Sequence, residues 1–182
     1  MKMTEKIILA GFGGQGILFS GKKLAAAGMD KDLNVTWLPS YGPEQKGGTC
    51  NCSVILSDGD ISSPIISSPD ILIAFNIQSY DKFMPRIAPG GMLFADSTLI
   101  DKKPDRTDIT SYFIPATEIA NEMNMNKMAN VVMLGFFIAK TGLFDRDYFR
   151  SCITDSLPAS KAALREANGK AYDAGVSYAE KV

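Results

Sequence analysis

Two stretches carry residue types and spacings that could do chemistry. The first is "ILAGFGGQGILFSGKKLA", residues 8–25, in which Gly11, Gly13, Gly14 and Gly16 surround Gln15. Glycines let a backbone turn tightly and approach a ligand, and a helix that follows such a turn presents unpaired N–H groups and a partial positive charge to an anion. The second is "SYGPEQKGGTCNC", residues 40–52, where Tyr41, Gly42, Pro43, Glu44, Gln45, Lys46, Gly47, Gly48 and Thr49 precede Cys50 and Cys52. Its Pro and Gly content predicts a loop over 39–48. Lys46 offers that loop a cation, and Tyr41 an aromatic contact of large area and low entropy cost. Both readings compete with plainer ones: Lys46 as an exposed loop charge and Gln15 as a residue bonded within its own turn.

The glycine spacing matches a dinucleotide-binding turn, but the rest of that site is not there. Ribose recognition needs an acid near the end of the second strand. Here that strand ends "TWLPSY", while Asp30 and Asp32 precede it and Glu44 lies in a loop whose Pro and Gly leave its direction open. A phosphate-binding G-x-x-x-x-G-K-[ST] loop also fails, because Lys22 is followed by Lys23. A freestanding NAD-dependent dehydrogenase domain stays open as the alternative, as does a self-associating binding module.

The elements that must position these loops follow from periodicity. Short apolar runs predict strands at 6–10, 34–38, 49–57, 71–75, 92–96 and 109–115. Helical composition spans 16–28, the segment from Asn76, 116–123, 128–141, 145–154 and 159–180. Asn76 stands between a buried strand and a helix, where it reads as an N-cap and as a candidate site residue. Asp96 and Ser97 have the same ambiguity, and Trp37 reads as core. Strands alternating with helices imply an α/β fold of three layers, a mainly parallel, Rossmann-like sheet with helices on both faces. Both loops would then emerge at the strands' carboxyl ends.

Composition sets outer limits. The 182 residues, 46% hydrophobic and 21% charged, suit one domain over 1–182, with no repeat or linker to divide it. A formal net charge of −1 provides no field for nucleic acid. The three cysteines, Cys50, Cys52 and Cys152, with no His in the chain, supply neither a cluster quartet nor a Cys/His metal site. No metal or cofactor is therefore expected in this chain. Unpaired thiols and a polar start without a signal peptide predict a cytoplasmic protein, and "MANVVMLGFFIA" at 128–139 is too short to insert in a membrane.

The combination "GFGGQGI", "SYGPEQKGG" and "TCNCSV", continued by "ILIAFNIQSYDKF", "GGMLFADST" and "NVVMLGFFIAKTG", resembles the gamma subunit of the 2-oxoacid:ferredoxin oxidoreductases over nearly the whole chain. The resemblance implies a subunit inactive alone, within an enzyme that converts a 2-oxoacid and coenzyme A to acyl-CoA, carbon dioxide and reduced ferredoxin. It implies thiamine diphosphate, magnesium and iron-sulfur clusters in partner subunits of the alpha, beta and delta type, with ferredoxin an indirect partner. The "GPEQKGGT" form of the second loop is similar to members acting on 2-oxoglutarate or branched-chain 2-oxoacids, 2-oxoglutarate foremost. Indolepyruvate chains share the first motif and resemble the second less. The expected site residues are those of the two loops with Asn76, facing coenzyme A or partner subunits, and an isolated chain could self-associate through the surface that awaits them.

Overall fold

A computed structural model describes residues 3–41 and 49–182. Gly42, Pro43, Glu44, Gln45, Lys46, Gly47 and Gly48 lie outside the described residues. The chain divides into two compact units, Met1–Phe113 and Ile114–Val182.

The first unit is built on a six-stranded sheet of order β2-β3-β1-β4-β5-β6, comprising β1 (Thr4–Phe12), β2 (Asn34–Tyr41), β3 (Thr49–Ser57), β4 (Ile71–Ala74), β5 (Met92–Asp96) and β6 (Thr110–Ile114). β4 runs parallel to β1 and to β5. β3 is antiparallel to both of its neighbours, β1 and β2. It follows that β2, β1, β4 and β5 point the same way and β3 opposes them, so the sheet is mixed in pairing yet mainly parallel in direction. Alternation assigns the faces. Cys50, Cys52, Val54 and Leu56 of β3 lie on the side where α1 (Ile17–Asp30) packs. On the other side Ile8, Ala10, Ile55, Leu72 and Ala74 form a buried cluster with Tyr80 and Phe83 of α2 (Ile77–Phe83). Helices thus cover both faces, as the alternating pattern predicts.

β2 runs through Pro39 to Tyr41, three residues past its expected end and into the predicted loop. It can do so because it is the edge strand, where a residue lacking an N–H is tolerated. Trp37 is half-buried rather than fully internal, with its indole nitrogen enclosed and Lys22 Nζ 5.0 Å from the ring centroid.

The second unit holds α3 (Ala116–Glu122), α4 (Ala129–Thr141), α5 (Arg146–Thr154) and α6 (Ala162–Ala179). Pro158 and a short 3-10 turn, Ala159–Lys161, precede α6, which therefore starts three residues later than predicted. α4 is buried without a break from Asn130 to Ile138, which accounts for an apolar run with little amphipathic pattern. It crosses α6 at glycines on both sides. A Cβ on Gly135 would fall on the Tyr172 carbonyl, and one on Gly175 on the Val132 carbonyl. Backbone obstacles of this kind cannot rotate away. Gly135→Ala or Gly175→Ala should cost about 2–3 kcal/mol by forcing the helices apart, which urea unfolding of the purified chain would measure.

Candidate functional site

The carboxyl ends of the co-directional strands form one edge, and register shows which residues meet there. β1 ends at Phe12, paired with Thr49, and Gly11 pairs with Cys50, which also pairs with Tyr41. Ala10 lies beside Ala74, and Ala74 beside Ala95. The glycine turn, the two residues that bound 42–48, Asn76 and Asp96 are therefore brought to the same edge. Register places Tyr41 and Thr49, the flanks of the second loop, at the edge that carries the glycine turn. The calls on Gly42, Pro43, Glu44, Gln45, Lys46, Gly47 and Gly48 fall outside the described residues.

The turn itself follows from its residues. Gly14 and Gly16 adopt φ of +99° and +77°, a region that favours glycine, and Gly16 caps α1 without a side-chain bond. Gly13 and Gly14 are exposed at the apex. Gly11, expected in the loop, is instead a buried β1 residue whose glycine identity answers to space: a Cβ there would lie 2.5 Å from Gln15 Oε1 and 3.1 Å from Phe75 Cβ. Gln15 turns its carboxamide inward. Phe12 N–H donates to Oε1 at 2.6 Å, and Nε2 donates to the Phe75 carbonyl at 3.2 Å. The plainer reading of Gln15, bonded within its own turn, describes the bond to Phe12 but not the one to Phe75, and both halves of the carboxamide are engaged with backbone.

Asn76 is an N-cap. Its Oδ1 accepts from Ser79 N–H at 2.8 Å at the start of α2, while Nδ2 is buried and makes no hydrogen bond to the protein. Asp96 is fully buried at the end of β5, and its Oδ1 accepts from Thr98 N–H at 3.1 Å, an Asx-type turn. Sequence alone did not point to Phe12 N–H or the Phe75 carbonyl as partners of Gln15. The i, i+3 separation of Phe12 and Gln15 is a usable local signal, whereas the bond to Phe75 depends on β1–β4 register.

Topology adds a reason against a dinucleotide site. In that fold the acid-bearing second strand lies beside the first, but here β3 intervenes, so β2 sits two strand spacings, roughly 10 Å, from the glycine turn. Among the described residues no three Cys, Asp or Glu side chains converge on a point that would hold a metal. None of the three cysteines forms a disulfide. Cys50 and Cys52 are buried side by side along β3, and the Cys52 thiol donates to the Ile17 carbonyl at 3.6 Å. This set does not fit an iron-sulfur cluster.

The family description "Pyruvate ferredoxin/flavodoxin oxidoreductase" matches residues 6–178. The chain belongs to this family. It is 37% identical to the 2-oxoglutarate synthase subunit KorC of Methanocaldococcus jannaschii, over 100% of this chain and 97% of that one. It is also 37% identical to the ketoisovalerate oxidoreductase subunit VorA of Methanothermobacter marburgensis, covering 97% of this chain but 37% of that protein, so it spans little over a third of that relative. Among solved structures, the 2-oxoglutarate:ferredoxin oxidoreductase of Magnetococcus marinus, with 2-oxoglutarate, coenzyme A and succinyl-CoA bound, superposes with a TM-score of 0.88. The identity there is 26%, over 98% of this chain and 31% of that one. The α/β fold expected from the sequence is the fold of the matched part of that solved structure. Among the described residues no helix is long and apolar enough to cross a membrane.

Burial pushes the Cys52 thiol up to about 12 and raises that of Cys50 as well. A raised folded pKa favours the protonated, folded form, and the unfolded chain loses its thiol protons from about pH 8.5. Stability should therefore fall as pH rises from there toward about 12, by up to about 1.4 kcal/mol per pH unit for Cys52. Urea midpoints at about pH 8 and about pH 10 would show the loss, and Cys52→Ala should flatten the slope.

Proposed function

We propose that this chain is the gamma-type subunit of a 2-oxoacid:ferredoxin oxidoreductase acting on 2-oxoglutarate in the cytoplasm, with residues 1–182 forming its single gamma-type domain. The observation that carries the reading is the end-to-end match to a 2-oxoglutarate synthase subunit of nearly the same length. The reaction cleaves the bond between the carboxylate and the oxo carbon, releases carbon dioxide, joins the acyl carbon to the coenzyme A sulfur and passes the electron pair to ferredoxin. Thiamine diphosphate with magnesium, and iron-sulfur clusters, supply the carbanion and electron chemistry from partner subunits of the alpha, beta and delta type.

The part assigned to this chain is binding and positioning. The exposed Gly13–Gly14 apex offers bare backbone that a ligand or partner can approach closely, and no acidic residue occupies the first turn of α1 to repel an anion. Tyr41 and Thr49, the flanks of the second loop, stand at that edge, and the role assigned to Gln45, Lys46, Gly47 and Gly48 is contact with coenzyme A or a partner subunit. Asn76 secures the neighbouring turn. Self-association of the isolated chain through the same surface belongs to this reading.

Purification of the native protein from its source cells should recover stoichiometric thiamine- and cluster-bearing subunits, with coenzyme A-dependent ferredoxin reduction fastest on 2-oxoglutarate. A lone chain whose melting temperature rises saturably with NAD would sink the proposal. In the assembled enzyme Lys46→Ala should raise the KM for coenzyme A several-fold. An unchanged KM would leave the second loop only its role as an interface.

A further inference from the structure

The hydrogen bonds around Gln15 have a specific relation to the sheet. β1 and β4 are parallel, with Ala10 beside Ala74, and one residue further on Phe75 N–H donates to the Ala10 carbonyl at 2.9 Å. The next rung of a parallel ladder would be Phe12 N–H donating to the Phe75 carbonyl. It is not made directly. The Gln15 carboxamide is inserted into it, accepting from Phe12 N–H at 2.6 Å and donating to the Phe75 carbonyl at 3.2 Å. A side-chain amide thus stands in for a missing rung, and the ends of the two strands are spread by the thickness of that amide.

The place matters. From β1 the chain builds β2 and β3 on one side and β4, β5 and β6 on the other, so the gap between β1 and β4 is the point where strand order reverses. Open α/β sheets bind ligands in the crevice outside the carboxyl ends at that point. Here the floor of the crevice is Gln15, and its backbone continues directly into the exposed Gly13–Gly14 apex on one side and the Gly16 cap of α1 on the other. Gly11 is kept free of a side chain so that the carboxamide can lie over it.

We propose that Gln15 is a positioning residue for coenzyme A: the inserted carboxamide fixes the spread between β1 and β4 and thereby the height and direction of the Gly13–Gly14 backbone that meets the ligand. This rests on the reading that the carboxyl edge faces coenzyme A. Gln15 does not touch the ligand. It acts through Phe12, Phe75 and the turn, which sets it apart from Lys46.

The test uses the assembled complex. Gln15→Met keeps the length and loses both hydrogen bonds. Gln15→Glu keeps the acceptor for Phe12 N–H but opposes a carboxylate oxygen to the Phe75 carbonyl, so it probes the second link even if Gln15→Met does not assemble. Three readings are taken on each: recovery of the partner subunits, amide exchange of the peptide covering 8–16, and the KM and kcat for coenzyme A. Faster exchange in that peptide with about a tenfold rise in the KM for coenzyme A, the change falling on KM rather than kcat, is the expected result. Faster exchange with an unchanged KM in an assembled, active complex would reduce Gln15 to a structural link and overturn the proposal. Failure of the underlying reading is separately visible, since adding coenzyme A to the unsubstituted complex would then leave the amide exchange of the peptide covering 8–16 unchanged.

Discussion

The first unit depends on the double pairing of β1. Its central residues, Ile7 to Ala10, are almost wholly buried, with an antiparallel ladder to β3 on one side and a parallel ladder to β4 on the other. A strand so enclosed has no freedom to slip, because a shift of one residue would turn Ile8 and Ala10 out of the cluster around Tyr80 and Phe83 and put Ile7 and Leu9 in their place. Fixing β1 fixes where it ends. Since β2, β4 and β5 run the same way and β3 starts where they stop, one pinned strand determines which turns share the edge.

Much of this was legible in the sequence, for physical reasons that apply to particular segments. Strands buried on both faces read as continuous apolar runs, as "MLFAD" does, while "TCNCSVILS" is β-branched and partly alternating, and the two become β5 and β3 with the expected bounds. The helix over Asn130–Ile138 is apolar all round, which only a buried helix can be. Strand order was not legible, because pairing is decided by contacts between distant segments and leaves no local trace. That is why Pro39 read as the start of a loop: only the knowledge that β2 is an edge strand makes a proline there compatible with pairing. The inward turn of Gln15 was partly hidden for the same reason, since its bond to Phe75 joins residues 60 apart in the chain.

The local energetics of the edge divide its residues into those already engaged and those still open. Gln15 makes two hydrogen bonds, each contributing about 0.5–1.5 kcal/mol net. Asn76 is different. Its cap stabilises α2 by about 1 kcal/mol, but a buried donor without a protein partner costs about 1–3 kcal/mol, and Nδ2 is such a donor. A Ser or Asp would cap α2 without that cost, so helix capping alone does not explain an asparagine at this position.

The insertion of β3 between β2 and β1 is what separates this edge from a dinucleotide site that begins with the same glycines. A ribose hydroxyl must be met at about 3 Å, and a residue at the end of β2 stands roughly 10 Å from the glycine turn. The neighbour that the turn does have is the start of β3, with Thr49 opposite Phe12. Reversing one strand therefore exchanges a ribose-binding acid for the flank of a second loop. The glycine turn keeps its backbone geometry, and what can complete a site beside it is a segment of protein adjoining Thr49 rather than a carboxylate at the end of a parallel strand.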